Sequence, residues 1–252
     1  MNELISKIFT IPILFEIVAA LAATITYKFF KDEKNISFKF LCFYLWLVAF
    51  IDVMGAYPYV IYYYNYDELA FFIDIDNKKW LKNYWIFNIL IAIAYIFYSW
   101  YFREQLYLKK HKKILKYSIY IYTIFCVLYS LYTPLFFDTF LKLNNLFGLL
   151  LLTLSIAFYY YELLRSDKIL SIGYSLPFYI SIATLLWYIS VTPLVLSSEF
   201  LVSIELVFLE YYRLILNYAN YFLYGIITFG IIRCYWLNKS QNTKSFSSST
   251  LS

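Results

Sequence analysis

The chain has 252 residues, of which 63% are hydrophobic, 24% are aromatic and only 15% are charged, and its formal net charge is +5. So few charged residues exclude both an ordinary soluble domain and a disordered polar chain. The surplus positive charge is spread over several loops, which is not a nucleic-acid-binding pattern, so we expect no nucleic-acid partner.

Seven apolar segments follow one another along the chain. Each reaches about 20 residues, the length that a helix needs to cross a hydrocarbon core of about 30 Å, and none has the length of a strand. We therefore predict an all-α polytopic transmembrane bundle that occupies residues 1–237 and contacts the lipid bilayer. Its seven spans are predicted at about 8–30, 40–64, 83–104, 114–137, 144–164, 169–196 and 213–236.

The distribution of basic residues predicts how the bundle is oriented. Of the 21 Lys and Arg residues, 15 lie in the loops after the first, third and fifth spans and in the C-terminal tail. The positive-inside rule then places the N-terminus outside the cell and the C-terminus in the cytoplasm. The densest basic group, Lys109, Lys110, Lys112 and Lys113, is expected to contact anionic lipid or an acidic cytoplasmic partner.

Two parts of the chain call for a separate interpretation. Residues 197–212 combine apolar and acidic positions, which favours an amphipathic helix in the membrane interface, although they can also extend the last span. Residues 238–252 have almost no apolar side chains, so we predict a disordered cytoplasmic tail.

Motifs of known enzyme classes are missing from the chain. The single histidine, His111, excludes an HExxH zinc site, and no GxSxG or Walker motif is present. Because lysines flank His111 on both sides, we expect its side chain to be solvated beside the cytoplasmic headgroups. The three cysteines lie within spans and lack a zinc spacing. We expect no enzymatic activity, no metal and no cofactor.

Two acidic residues inside the first two spans indicate a functional site. Glu16 lies near the middle of the first predicted span and Asp52 at the middle of the second. A charge at that depth costs at least about 2.5–3.5 kcal/mol on insertion scales, so both side chains are expected to face the interior of the bundle. In an antiparallel pair of helices they can meet and share a proton.

Polar residues of other spans are the expected partners of the two acids, namely Asn88, Thr184, Tyr188, Asn217 and Asn220. Two interpretations remain open. Neutral acids can join the helices through hydrogen bonds, or the group can form a ligand, proton or ion site.

Arg213 lies at the predicted outer end of the last span, three residues after Glu210. It can pair with that acid at the surface of the helix. Alternatively, it can contact an anionic ligand that enters from outside.

The 30 Tyr and 25 Phe residues are too many for interfacial belts alone. Their codons are rich in A and T, as are those of the abundant Ile, Asn and Lys. We therefore favour a low-GC genome that fills lipid-facing positions over a dedicated aromatic ligand cage.

Four short motifs, at residues 83–88, 159–164, 176–180 and 217–220, read NYWIFN, YYYELL, LPFYI and NYAN. In these motifs the chain resembles a family of uncharacterised seven-helix inner-membrane proteins of Bacteroidota. Members of that family often carry an acid soon after the first motif, whereas residues 89–94 here contain none. The resemblance implies a location in the bacterial inner membrane and a signalling accessory role beside a sensor histidine kinase.

We therefore expect an integral membrane sensor or signalling accessory protein with an outward-opening polar pocket. One alternative is a transporter or channel for a small solute, protons or cations that uses the intramembrane acids. A second alternative is a membrane effector of a defence system. The ligand and the oligomeric state stay open.

Labelling of single cysteines tests the predicted orientation. In a variant without native cysteines, Lys110→Cys should resist a membrane-impermeant thiol reagent in intact cells and react after permeabilisation. Asp138→Cys, on the predicted outer side, should react in intact cells and serves as the control. Labelling of position 110 in intact cells would contradict the predicted orientation.

Overall fold

The structure is a computed structural model that describes residues 11–29, 36–63, 82–202 and 206–249. These residues form helices and no strand, which confirms the all-α prediction. Six helices are long and apolar enough to cross a membrane, and a further apolar helix is shorter. The chain is therefore a polytopic helical bundle.

The described residues form eight α-helices and three short 3₁₀ segments. The α-helices are α1 (Ile11–Thr26), α2 (Ile36–Met54), α3 (Tyr57–Tyr63), α4 (Tyr84–Gln105), α5 (Lys109–Tyr132), α6 (Lys142–Leu164), α7 (Leu176–Val202) and α8 (Leu206–Ser249). The 3₁₀ segments are Tyr27–Phe29, Pro134–Phe137 and Asp167–Tyr174.

Helix α2 ends earlier than the sequence predicts. A turn at Gly55 and Ala56 separates it from α3, so 40–64 is not one continuous helix. Pro58 has no N–H with which to continue α2 and suits the first turn of a new helix. Asp52 consequently lies two residues before the end of α2 and not at the centre of a long span.

The chain around and after residue 200 also differs from the prediction. Helix α7 reaches Val202 and α8 begins at Leu206, so most of 197–212 belongs to the ends of two long helices. Helix α8 then continues through 238–249, where composition predicts a disordered tail. Extending an existing helix needs no new nucleus, which is the costly step in helix formation.

Six of the described helices close into a ring. Neighbouring contacts run from α1 to α2, then to α4, α6, α7 and α8, and from α8 back to α1. Helix α5 lies outside the ring and packs on α4 and α6. The ring encloses the core of the bundle and leaves much of α5 exposed.

Large apolar side chains cover the outside of the bundle, while two acids are buried. Ile25, Phe43 and Leu131 are 72%, 66% and 75% exposed, whereas Glu16 and Glu162 are 1% and 3% exposed. An apolar outer surface with buried acids suits a hydrocarbon surround.

Glycine allows α4 and α6 to approach closely. A Cβ atom at Gly148 of α6 would overlap the aromatic ring of Tyr95, a fully buried side chain of α4. Small residues serve the same purpose in many membrane helix interfaces. The contact therefore needs glycine at position 148.

Gly148→Ala should lower the free energy of unfolding by about 1–3 kcal/mol, because the Tyr95 ring has to move within a packed core. Gly225→Ala is the matched control, since a Cβ there would meet its nearest atom, Cε1 of Phe15, at 4.0 Å. That control should be neutral or slightly stabilising, because alanine favours helix over glycine. Thermal unfolding in detergent measures both. Equal stability of the two variants would argue against the close packing.

Candidate functional site

A cavity of about 390 Å³ lies inside the ring of helices. Its walls come from α1, α2, α4, α7 and α8, and from Phe140 in the connection between α5 and α6. Along α4 and its N-cap Asn83, the lining residues run as far as Tyr98, a distance of about 22 Å along the axis at 1.5 Å per residue. The lining residues of each helix lie in the half that is nearer one end of the bundle. Residues 109–113 lie at the opposite end.

The carboxyl groups of Glu16 and Asp52 meet in this cavity. They lie close enough to interact electrostatically. Both oxygens of Glu16 are nevertheless buried and lack a hydrogen bond of normal geometry to any described residue. Two adjacent carboxyl groups repel each other when both are ionised, so the pair favours either a shared proton or a bound cation.

Tyr188, Asn217 and Asn220 also line the cavity, together with the two acids. The indole Nε1 of Trp187 donates a hydrogen bond of 2.7 Å to Oδ1 of Asn220. This bond joins α7 to α8 and orients the amide in the wall. Five residues predicted from the sequence thus border one space.

Four tyrosines close the deep end of the cavity, at Tyr44, Tyr98, Tyr188 and Tyr224. The ring centroids of Tyr44 and Tyr98 are 5.2 Å apart, and those of Tyr98 and Tyr188 are 6.4 Å apart, each pair edge to face. All four rings are buried. We call this group the tyrosine floor.

Asn88, another predicted site residue, does not line the cavity. Its Nδ2 donates hydrogen bonds of 2.9 Å to the carbonyl oxygens of Phe136 and Thr139. Its Oδ1 accepts one of 3.0 Å from the backbone N–H of Leu141. Asn88 therefore holds the connection between α5 and α6 against α4, which accounts for its burial.

Thr184 and Arg213 also lie away from the cavity wall. The Thr184 hydroxyl donates a 2.7 Å hydrogen bond to the Ile180 carbonyl of its own helix. Arg213 is exposed on α8. Nothing in this geometry directs its guanidinium towards the cavity.

The basic group forms the first turn of α5, where Lys109, Lys110 and Lys113 are exposed and Lys112 is partly buried. These exposed side chains are available to lipid or to a partner. Cations are unfavourable at the N-terminus of a helix, because its free N–H groups carry partial positive charge. A negative group is therefore needed nearby.

Glu162 of α6 supplies that negative group. Its Oε2 accepts a hydrogen bond of 2.6 Å from the N–H of Tyr107, and both of its oxygens lie 3.3 Å from the N–H of Leu108. Nδ1 of His111 lies 2.7 Å from Oε1 of the same carboxylate. Glu162 thus binds the start of α5 to the end of α6.

The expectation of a solvated His111 is wrong. Its ring stacks on Phe158 with centroids 4.5 Å apart and planes 8° apart, and its side chain is only 14% exposed. Glu162 was missed as its partner because sequence separation hides contacts between different helices. The sequence did contain a signal for this contact. Glu162 lies near the end of a predicted span, and His111 is predicted at the same face of the membrane.

Comparison with known proteins found no similar protein. No family model matches the chain, and no curated protein or solved structure matches it. The site therefore has to be interpreted from its own geometry.

Glu162→Ala should destabilise the bundle by about 1–3 kcal/mol for each backbone N–H that loses its acceptor. Glu104→Ala is the control, because its pair with Arg103 is partly exposed and should contribute about 1 kcal/mol or less. Thermal unfolding in detergent compares them. Equal losses from the two substitutions would show that Glu162 does not hold α5.

Proposed function

We propose that the protein is a non-enzymatic sensor or signalling accessory of the bacterial inner membrane, with the cavity as its ligand pocket. The observation that carries the proposal is a cavity that contains an acid pair, the buried Glu16 and the partly buried Asp52, and ends on the tyrosine floor. In the orientation predicted from the basic residues, this cavity opens outward. A ligand that neutralises the acid pair would then reach it from outside the cell.

The closed deep end favours a binding pocket over a channel. Below the tyrosine floor the core is filled by fully buried apolar side chains, including Leu41, Phe102 and Ile227. A conducting path needs polar groups or water along its length. The pocket has the volume of a small-molecule site and combines apolar walls with few polar groups, as such sites usually do.

Helix α4 offers a physical connection between the pocket and the basic end of the bundle. It lines the cavity up to Tyr98, and further along it Nε of Arg103 donates a hydrogen bond of 3.2 Å to the carbonyl oxygen of Lys112. A ligand that shifts α4 would displace the first turn of α5. Residues 103–116 are the surface that we propose for a membrane-associated signalling partner such as a histidine kinase.

Asp52→Asn tests this function, because it preserves size and hydrogen bonding but removes the titratable charge. In a deletion strain, the parent chain should restore the transcript profile, whereas Asp52→Asn should leave it as in the deletion. Asp138→Asn is the matched control, since Asp138 forms an exposed ion pair with Lys82. It should restore the profile. The melting temperature of Asp52→Asn should stay within about 4 °C of the parent.

Other outcomes would favour the alternative functions. Solute or proton flux in proteoliposomes that disappears in Asp52→Asn would identify a transporter and overturn the sensor proposal. Cell death on overexpression, with leakage across the membrane, would instead indicate a membrane-disrupting effector.

A further inference from the structure

The charge of the cavity restricts what can bind in it. Its described lining residues include two acids, Glu16 and Asp52, and no Lys, Arg or His. An anion would be repelled by the acid pair without a basic group to compensate. A neutral ligand would leave the repulsion between the carboxyl groups unrelieved, except through a shared proton.

The oxygens of Glu16 lack hydrogen-bond donors. Both are buried and have no hydrogen bond of normal geometry to any described residue, so a proton shared with Asp52 would be their one donor. A buried acceptor without a donor is unfavourable, and hydrogen bonds from a charged donor to a carboxylate are the strongest that proteins make. The cavity is thus suited to a ligand that brings both a positive charge and N–H groups.

The remaining walls suit an apolar body attached to that charge. Phe87, Trp187 and Tyr212 lie along the cavity, together with aliphatic side chains such as Val191. Aromatic faces attract cations and also pack well against flat or branched apolar groups. An inorganic cation would lose its hydration shell here and would leave these apolar walls unused. Among the described residues, no group of three or more His, Cys, Asp or Glu side chains could hold a metal ion.

We propose that the cavity binds a protonated primary amine with an apolar, alkyl or aromatic, body. The ammonium group donates hydrogen bonds to Glu16 and lies beside Asp52, and the apolar body packs against Phe87, Trp187 and Tyr212. This inference rests on the proposed function, because it takes the cavity to be a ligand pocket. A free amine and the ammonium headgroup of phosphatidylethanolamine share the required chemistry.

Calorimetry on the full chain in nanodiscs of phosphatidylcholine and phosphatidylglycerol tests the ligand class with three probes of similar shape. Phenethylammonium carries charge and donors, benzyltrimethylammonium carries charge without donors, and 3-phenylpropan-1-ol is neutral. Phenethylammonium should bind at least about tenfold more tightly than either of the others, a difference of about 1.4 kcal/mol. Equal or tighter binding of the neutral alcohol would overturn the proposal.

Matched variants locate the binding site. Glu16→Gln and Asp52→Asn should each weaken phenethylammonium binding at least about tenfold, whereas Asp138→Asn and Asp167→Asn, outside the cavity, should change it less than about twofold. Loss of affinity in the two controls to the same extent would show that the amine binds elsewhere. The comparison of probes on the parent chain decides the ligand class even if a variant fails to fold.

Nanodiscs that contain phosphatidylethanolamine separate the two sources of the ammonium group. If phosphatidylethanolamine competes with phenethylammonium, the proposal is supported and the ligand is the lipid headgroup. If phenethylammonium binds with undiminished affinity, the proposal is supported and the ligand is a free amine. Absence of binding by all three probes would overturn the amine proposal without bearing on the transcript test of Asp52→Asn. Amine binding accompanied by amine flux would retain the ligand class and overturn the sensor proposal.

Discussion

Lipid offers no hydrogen bonds, so each polar group within this bundle has to find its partner in the protein itself. That constraint places the side chains that join helix to helix. Asn88 uses both ends of its amide on the backbone of the connection between α5 and α6. The carboxylate of Glu162 accepts hydrogen bonds from the N–H groups of Tyr107 and Leu108, just before α5. Some buried groups have no such partner, and Glu16 is the one that carries a carboxyl group. Its oxygens lack a hydrogen bond within the described structure, as do the Tyr98 hydroxyl and the Asn144 amide.

Close packing around large rings complements these polar contacts. Gly148 lets the buried ring of Tyr95 lie directly against α6, and Gly230 does the same for Tyr179 between α7 and α8. Without a strong hydrophobic force between helices in lipid, such contacts contribute much of the stability. Large rings do not fill the interior completely, and the cavity is space that they leave.

Segment lengths and apolar content were enough to predict the helical bundle, since a bilayer imposes a length on each span. Two acids on adjacent helices made an approach of Glu16 to Asp52 conceivable, but the sequence left open whether they meet. The end of α2 at Met54 was not predicted, because the apolar character of α2 continues into α3 and a turn at Gly55 and Ala56 separates the two helices. The separate roles of Asn88 and Asn220 depend on the helix faces that pack together, which one sequence does not reveal. The aromatic lining of the cavity could not be recognised in the sequence, because codon bias and a binding surface enrich the same residue types.

Contact between α1 and α8 has a consequence for how the chain is made. The first and last described α-helices are neighbours in the ring, so the ring closes only after α8 has been synthesised. Until then the face of α1 that carries Glu16 is not covered by α8. A ribosome-bound chain would thus depend on the insertion machinery to shelter that acid, and a chain truncated before α8 would be a substrate for membrane quality control. Helices α1 and α8 are therefore linked by the order of synthesis as well as by packing.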